Sequence, residues 1–188
     1  MDLKWDDERS SRFVTNAGLI TSKDSNGYNI ATYEWTHQVS YSPGLIAVSM
    51  HKEDATYKNI IKSKEFGVNL ASAEQNTLTS LSGNYSGRDY DKMSALKELG
   101  FKFFKAKNID VWMVEGAALN AECKVVKKVP VGDHILLIGE IVNLYPLSDK
   151  KPLAYHLHKF WSLGEQLHKP SDEARAKMKD VFEKHRKK

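Results

Sequence analysis

Polar side chains flank an apolar strand in the first third of the chain. The apolar run Leu45–Val48 lies between two segments that carry hydroxyl, amide and basic groups. The polar and aromatic residues around it are Asn29, Thr32, Trp35, Ser49, His51, Lys52 and Thr56. Amides suit the polar edge of a planar ring, and hydroxyls with a cation near a helix start suit a phosphate. This segment therefore predicts a site for a planar cofactor that carries a phosphate, which we interpret as a flavin.

Turn residues and apolar runs predict short strands around this site. Val14–Ser22 and Tyr28–Trp35 flank the KDSNG turn and predict a β-hairpin, and Ser42-Pro43-Gly44 leads to a third strand, Leu45–Met50. Further strands are predicted at Phe66–Leu70, Phe101–Lys105, Val111–Met113, Ala117–Val129 and His134–Leu144. The last two of these face each other across Pro130-Val131-Gly132-Asp133, which is typical of a hairpin.

Helices are predicted at Asp54–Lys62, with Asp54 as N-cap, at Ala73–Leu81, at Lys92–Leu99 and from Ser171 onward. Gly100 should end the third helix. The many short strands with few helices favour a mainly β fold, a closed or partly closed antiparallel barrel. The chain has neither the strand–helix alternation nor the glycine motifs of Rossmann or P-loop proteins.

Composition excludes several classes of protein. The chain has 188 residues with 41% hydrophobic and 28% charged content, which fits one globular domain. No apolar run is long enough to span a bilayer, and the acidic N-terminus is unlike a secretory signal, so we expect a cytoplasmic protein without membrane contact. The net charge of +4 lies mostly in residues 171–188, with seven Lys and Arg against four Asp and Glu, so a nucleic-acid surface is not expected. The lone Cys123 is expected in the core.

Four motifs in order resemble the flavin reductase-like family, which contains flavoredoxins, archaeal ferric reductases and reductase components of two-component monooxygenases. They are GLITSKDSNGYNIATYEWTHQVSYSPGLIAVSM, TYKNIIKSKEFGVNL, SG…GRDYDK and VGDHILLIGEIV, and the resemblance covers Phe13 to Glu165. It implies a six-stranded split β-barrel over residues 1–170 that binds FMN as a homodimer. Residues 171–188 would form a separate basic helical tail.

The resemblance also implies roles for individual residues. Asn29 and Trp35 would border the isoalloxazine ring, with backbone groups of Thr32, Tyr33 and Glu34 near its polar edge. Thr56 and Lys92 would contact the ribityl phosphate. His134 would lie close to the flavin as the residue nearest the reaction, and Trp161 would cover the ring, although Tyr or Phe are commoner at that position. The backbone around Ser49, Met50 and His51 could donate to the ring edge, and His51 or Lys52 could compete for the phosphate.

The chemistry expected of this site is hydride transfer from NADH or NADPH to bound flavin, with electrons passing to free flavin, ferric iron or a partner protein. An FMN-binding electron carrier with little NAD(P)H activity is the alternative. Hydride transfer needs no side-chain acid or base, so His134 could orient nicotinamide or tune the flavin. A metal site at His156-x-His158 is not expected, because a third ligand at a suitable spacing is missing from the sequence. The apolar stripe of the last helix (Ala174, Met178, Val181, Phe182) is expected to dock on the body or on a second subunit.

Overall fold

The computed structural model describes residues 2–5, 7–25 and 27–187. The strands are β1 (Thr15–Asn16), β2 (Gly18–Asp24), β3 (Gly27–Tyr33), β4 (Thr36–Tyr41), β5 (Gly44–Met50), β6 (Glu65–Leu70), β7 (Phe103–Lys105), β8 (Trp112–Val114), β9 (Leu119–Val131), β10 (His134–Leu144), β11 (Leu153–His156) and β12 (Lys159–Ser162). The α-helices are α1 (Ala55–Ser63), α2 (Asn76–Asn84), α3 (Lys92–Glu98) and α4 (Asp172–Lys184). Short 3-10 helices occupy Ser10–Arg12 and Ala73–Gln75.

The main sheet has the strand order β3-β2-β6-β9-β10-β5-β4, and all of its pairs are antiparallel. Its two edge strands, β3 and β4, follow each other along the chain and are separated only by residues 34 and 35. Because so short a link cannot cross a flat sheet, the sheet must curl until its edges meet. The Ser49 amide donates a 3.0 Å hydrogen bond to the Trp35 carbonyl across this closure. The result is a barrel.

The prediction of a mainly β split barrel with peripheral helices and a C-terminal helix is confirmed, although the main sheet has seven strands rather than six. The sequence analysis missed β4, an edge strand of mostly exposed polar residues. It also missed β11 and β12, which form a separate three-stranded sheet with β1 in the order β1-β11-β12. The hairpin of β2 and β3 is confirmed, but its KDSNG turn includes Asn26, which lies outside the described residues.

One hairpin and one long-range strand pairing set the positions of the candidate site residues. β9 and β10 pair from Val131 and His134 onward, and the turn between them has Gly132 at a φ of +59°, a left-handed conformation that glycine adopts without strain. β10 also pairs with β5, with Ile135 opposite Met50. Continuing this antiparallel register by one residue places His51 beside His134. The C-terminal end of β5 and the N-terminal end of β10 therefore meet at one rim of the barrel.

The barrel core consists of aliphatic and aromatic side chains from the main sheet together with Cys123. Phe66 is fully buried and packs over Gly139, where an added Cβ would overlap its ring. Cys123 is also fully buried, as the sequence analysis predicted. Burial, with a smaller contribution from Glu122, raises the pKa of its thiol to about 12. This cysteine therefore has a packing role and a very weak tendency to form a thiolate.

The helices lie outside the barrel. α1 packs on β2 through buried Thr56, Asn59 and Ile60, and Gly100 follows α3 with a φ of +89°, as predicted for a helix stop. α4 begins where predicted, because the Ser171 hydroxyl accepts a 3.2 Å hydrogen bond from the Ala174 amide. Its apolar stripe does not dock on the body, since α4 has no buried residue. Within the described part of the chain, none of the helices has the length and hydrophobicity that crossing a bilayer requires.

Candidate functional site

A cleft of about 750 Å³ opens at the rim of the barrel where β3 passes into β4. The link between these strands forms one wall, and the ends of β5 and β10 form another. Seven of the residues predicted from the sequence line this cleft: Thr32, Tyr33, Glu34, Trp35, Ser49, His51 and His134. Residues 32–35 and the ends of β5 and β10 are therefore brought together by the closure of the barrel.

Aromatic rings form the wall at the strand ends. The His51 and His134 rings are 3.8 Å apart between centroids and tilted by 38°, and the Trp35 ring lies 4.9 Å from that of His134. Nδ1 of His134 is 2.7 Å from a carboxylate oxygen of Asp133, a contact that lowers the pKa of Asp133. Trp35 is 47% exposed, which leaves ring surface available to a planar ligand.

The backbone amides expected at the polar edge of the ring already have protein partners. The Ser49 amide donates to Trp35, and the His51 amide donates to Asp54 Oδ2 at 3.2 Å. To donate to a ligand, the Ser49 and His51 amides would have to give up these hydrogen bonds to Trp35 and Asp54. Met50 is buried in the barrel core, so its side chain does not reach the cleft.

A second polar cluster lies beneath β3. The Asn29 amide nitrogen donates a 2.9 Å hydrogen bond to the Thr56 hydroxyl, and both side chains are buried. Lys92, at the start of α3, is only 5% exposed, and its ammonium donates to the Ser82 carbonyl at 3.1 Å. Among the described residues, Asn29 Oδ1 and Ser82 Oγ find no hydrogen-bond partner. Buried polar atoms without partners are costly, so this cluster fits an additional polar ligand.

Electrostatics support an anion at this cluster. Burial lowers the pKa of Lys92 to about 8, although the charge of Asp54 acts in the opposite direction. A buried ammonium with one neutral acceptor is stabilised by a negative group that replaces its lost hydration. A phosphate near Lys92, the Thr56 hydroxyl and the start of α1 would supply that charge.

Asp54 connects the two parts of the site, and the sequence analysis treated it only as a helix cap. Its side chain makes no capping bond. It accepts instead from the Tyr33 hydroxyl at 3.0 Å and from the His51 amide, and it lines the first cleft. Burial, followed by the charge of Asp54, raises the pKa of Tyr33 well above its ordinary value. The sequence signal was weak, because an aspartate before a helix is usually a cap.

A second cleft of about 720 Å³ begins at Asn29, and sequence reasoning did not anticipate it. Its basic lining residues are Lys58, Lys62, Arg88 and Lys97. These residues are spread over two helices and a loop, so no local spacing indicated that they converge. The three residues that the sequence analysis considered for the phosphate, His51, Lys52 and Lys92, do not line this cleft.

The role expected for Trp161, covering the flavin ring, stays a prediction. Its indole donates a 2.9 Å hydrogen bond to the His156 carbonyl, and Trp161 is not among the residues lining the first cleft. Two aromatic residues of the N-terminal segment, Trp5 and Phe13, line that cleft. The Trp5 ring lies 4.7 Å from His158, and the Leu157 amide donates to the Ser11 carbonyl.

The first cleft and the buried cluster carry the types of group that a planar ring and a phosphate require. The cleft presents ring surfaces to an isoalloxazine, and the cluster presents a cation, a hydroxyl and an amide to a phosphate. Asp54 and Tyr33 lie between the two parts, where their polar groups could contact a ribityl chain. The arrangement can hold a planar redox group with one face turned to the opening.

Comparison with known proteins identifies the family of this chain. The family model described as "Flavin reductase like domain" matches residues 10–164. A ferric-chelate reductase (NAD(P)H) of Archaeoglobus fulgidus is 32% identical over 138 residues, which are 72% of this chain and 79% of that protein. An NADH-dependent flavin reductase of a Rhodococcus species is 24% identical over 155 residues, 81% of each chain. An uncharacterised A. fulgidus protein is 31% identical, and the match spans 64% of its length.

Solved structures share the fold. An FMN-binding protein of Thermus thermophilus with bound p-hydroxybenzaldehyde superposes with a TM-score of 0.78 at 21% identity, covering 90% of this chain and 97% of that one. An NADH:FAD oxidoreductase of Streptomyces globisporus gives 0.77 at 16% identity, with 88% and 98% coverage. The named reductases among the relatives support the expectation of an oxidoreductase enzyme. The match over residues 10–164 settles the family: the chain belongs to the flavin reductase-like family.

Proposed function

We propose that this protein is an FMN-dependent oxidoreductase that takes hydride from NADH or NADPH and passes electrons to free flavin, ferric iron or a partner protein. The observation that carries the proposal is the buried Lys92 ammonium, which donates to the Ser82 carbonyl, together with two buried polar atoms that lack partners among the described residues, Asn29 Oδ1 and Ser82 Oγ. Such a cluster is stabilised by a bound phosphate. It lies under the same strand, β3, whose end forms the aromatic cleft.

The residues divide into a ring site and a phosphate site. Trp35 and His134 border the isoalloxazine, with the backbone of Thr32, Tyr33 and Glu34 along the cleft wall. Asn29, Thr56 and Lys92 hold the phosphate. Bound flavin supplies a ring that accepts two electrons with a hydride and passes them on singly or as a pair. His134, through its contact with Asp133, presents a fixed imidazole to a nicotinamide that enters the opening.

The electron acceptor is proposed from the range of relatives. One named relative is a ferric-chelate reductase, and another is the reductase component of a flavin-dependent trigonelline monooxygenase from Acinetobacter baylyi. An open cleft with an exposed Trp35 suits a small acceptor or a protein that approaches the flavin. The N-terminal Trp5 lines the same cleft and would limit the size of the acceptor.

We further propose a cytoplasmic homodimer of this domain. Among the described residues, several large apolar side chains are exposed near the cleft mouth or on α4, among them Phe13, Trp35 and Phe182. A second copy would cover such surface and the partly open site. The basic segment 171–188, whose α4 has no buried residue, would form a tail outside the flavin domain.

The first test is the visible spectrum of the purified protein, incubated with FMN and freed of excess ligand, followed by anaerobic NADH and then NADPH. Retained flavin absorbance that bleaches on addition of either nucleotide supports the reductase. Retained absorbance that persists with both indicates an electron carrier of the flavoredoxin kind. Absence of retained flavin, with no binding in a titration, overturns the proposed site. Gel filtration of the FMN-bound protein tests the dimer, and an FMN-bound monomer contradicts it.

A further inference from the structure

We propose that His51, Asp133 and His134 form a binding site for a divalent transition-metal ion such as Zn²⁺. Ligand atoms from the three side chains lie within 4.8 Å of one another. This departs from the sequence analysis, which considered only His156 and His158 and expected no metal. Among the described residues, this is the cluster in which three such side chains converge.

The fold places these residues firmly. His51 follows β5 and His134 begins β10, two strands that pair with Met50 opposite Ile135. Asp133 lies in the turn between β9 and β10, and its carbonyl is 3.3 Å from Nδ1 of His51. The imidazole rings are 3.8 Å apart, and the carboxylate lies 2.7 Å from Nδ1 of His134. Backbone pairing rather than side-chain mobility therefore brings the three groups together.

The chemistry of the three groups matches a borderline metal ion. Two imidazole nitrogens and one carboxylate oxygen are the ligands of an open zinc site, in which water occupies the fourth position. Tetrahedral ligands at about 2.0–2.1 Å from zinc lie roughly 3.3 Å from one another. The observed spacing of at most 4.8 Å exceeds this value only moderately, and the Asp133 side chain is 83% exposed, which leaves space for its carboxylate to adjust.

A metal at this place would interfere with electron transfer. The three residues line the first cleft beside Trp35, where the nicotinamide is proposed to enter. An ion there would fix His134 and fill the entrance, so divalent metals should inhibit NAD(P)H oxidation. This consequence rests on the proposed function, whereas metal binding itself does not.

Binding is tested on untagged, flavin-free protein with Co²⁺ followed by visible absorption and with Zn²⁺ followed by calorimetry. We expect one ion per chain and a Co²⁺ spectrum of low coordination number. His51→Asn, Asp133→Asn and His134→Asn should each weaken binding at least on the order of 10-fold. His37→Asn removes an exposed histidine on β4 and is the matched control. His156→Asn with His158→Asn tests the other pair in the cleft.

The outcomes separate the possibilities. Wild-type protein that does not bind Co²⁺ at millimolar concentration overturns the proposal, as do triad variants that bind like wild type. Loss of binding only in the His156 and His158 variant assigns the metal elsewhere and also overturns it.

Circular dichroism checks that each variant is folded. If a histidine variant is unfolded, the result for Asp133→Asn is used in its place, because the Asp133 side chain is exposed at a turn. Each variant's Zn²⁺ inhibition is compared with its own metal-free activity. Metal binding without any reductase activity contradicts the proposed function but leaves this site standing.

Discussion

The side-chain amide of Asn29 donates a 2.9 Å hydrogen bond to the hydroxyl of Thr56, and this bond joins β3 to the first turn of α1. Both residues are at most 7% exposed. Among the described atoms the other side of the Asn29 amide, Oδ1, has no partner. The nitrogen of the Asn29 side-chain amide is therefore hydrogen-bonded to Thr56, whereas its Oδ1 can still accept a hydrogen bond from a ligand or another donor.

Thr56→Val tests this unit. The substitution keeps the shape but removes the acceptor, so the Asn29 amide loses its buried partner. We expect the free energy of unfolding to fall by about 1–3 kcal/mol and FMN affinity to fall on the order of 10-fold. Chemical denaturation and FMN titration measure the two effects. Thr56→Ser keeps the hydroxyl and is the control; equal FMN affinities of the Val and Ser variants would contradict the assignment.

Lys92→Met tests the phosphate contact. Removing the ammonium should weaken FMN on the order of 10- to 100-fold, because hydrogen bonds to charged groups contribute about 1.5–3 kcal/mol. Riboflavin, which lacks the phosphate, should bind wild type and variant alike. The free protein should be as stable as wild type or more so, since a desolvated charge is removed. Lys128→Met, on the exposed part of β9, is the matched control. A parallel loss of riboflavin affinity would place Lys92 at the ring rather than the phosphate.

The pH dependence of FMN binding follows from the same lysine. Because burial lowers the pKa of Lys92 to about 8, the ammonium loses its proton as pH rises through that value. The ratio of FMN to riboflavin affinity should therefore fall between about pH 7 and about pH 9 in wild type and stay flat in Lys92→Met. A flat ratio in wild type would contradict the role.

Stability of the free protein should change in the opposite direction over a related range. Between the folded pKa of about 8 and the ordinary value of 10.5, the unfolded chain binds more protons at Lys92 than the folded chain. The free energy of unfolding should therefore rise with pH across this window, relative to Lys92→Met. Denaturation at several pH values in the absence of flavin measures the difference, and a declining curve would show that the ammonium is stabilised without a ligand.

Gly87→Ala tests the position of Asn29. A Cβ at residue 87 would overlap the side-chain amide of Asn29, so the variant must displace it. We expect FMN affinity to fall several-fold and the free energy of unfolding to fall by about 1–3 kcal/mol. Gly164→Ala, where an added Cβ meets no atom within 4 Å, should change neither quantity. Undiminished FMN affinity in Gly87→Ala would mean that Asn29 can move without consequence.

Glu122→Gln tests a buried carboxylate that lies away from the flavin site. Its oxygens accept from the Lys107 and Asn108 amides, Asn143 Nδ2 and the Tyr145 hydroxyl. An amide in its place would turn its NH₂ group toward donors, so we expect a loss of about 2–3 kcal/mol in unfolding free energy with FMN affinity unchanged. Glu115→Gln, an exposed neighbour in sequence, is the control.

The same carboxylate gives a pH effect with the same sign as that of Lys92, but in the acid range, because both groups have a lowered pKa in the folded state. Burial raises the pKa of Glu122, but the hydrogen bonds outweigh it and hold the pKa below its ordinary value of 4.5. Its contribution to stability is therefore present above that value and is lost as pH falls through the folded pKa. The difference in stability between wild type and Glu122→Gln should shrink on acidification. A difference that stays constant down to acid pH would contradict this.

Strong apolar runs made most of the barrel predictable. Leu45–Met50, Phe66–Leu70 and His134–Leu144 coincide with β5, β6 and β10 to within a residue at either end, because one or both of their faces are buried. β4 was missed because an edge strand with exposed polar residues carries no hydrophobic period. The short strands β11 and β12 were missed for a related reason, since only two of their residues are buried.

The sequence by itself determined the family, the mainly β fold and the chemical types of the site residues, because these depend on local patterns and on the order of motifs. Only the tertiary structure decided which residues meet. Asn29 reaches Thr56 across 27 positions and His51 reaches Asp133 across 82, and both contacts depend on how the strands pair and the barrel closes. The role of Asp54 as a link and the gathering of His51, Asp133 and His134 depend likewise on long-range pairing. No local spacing encodes such contacts, because they arise from the register of strands that are distant along the chain.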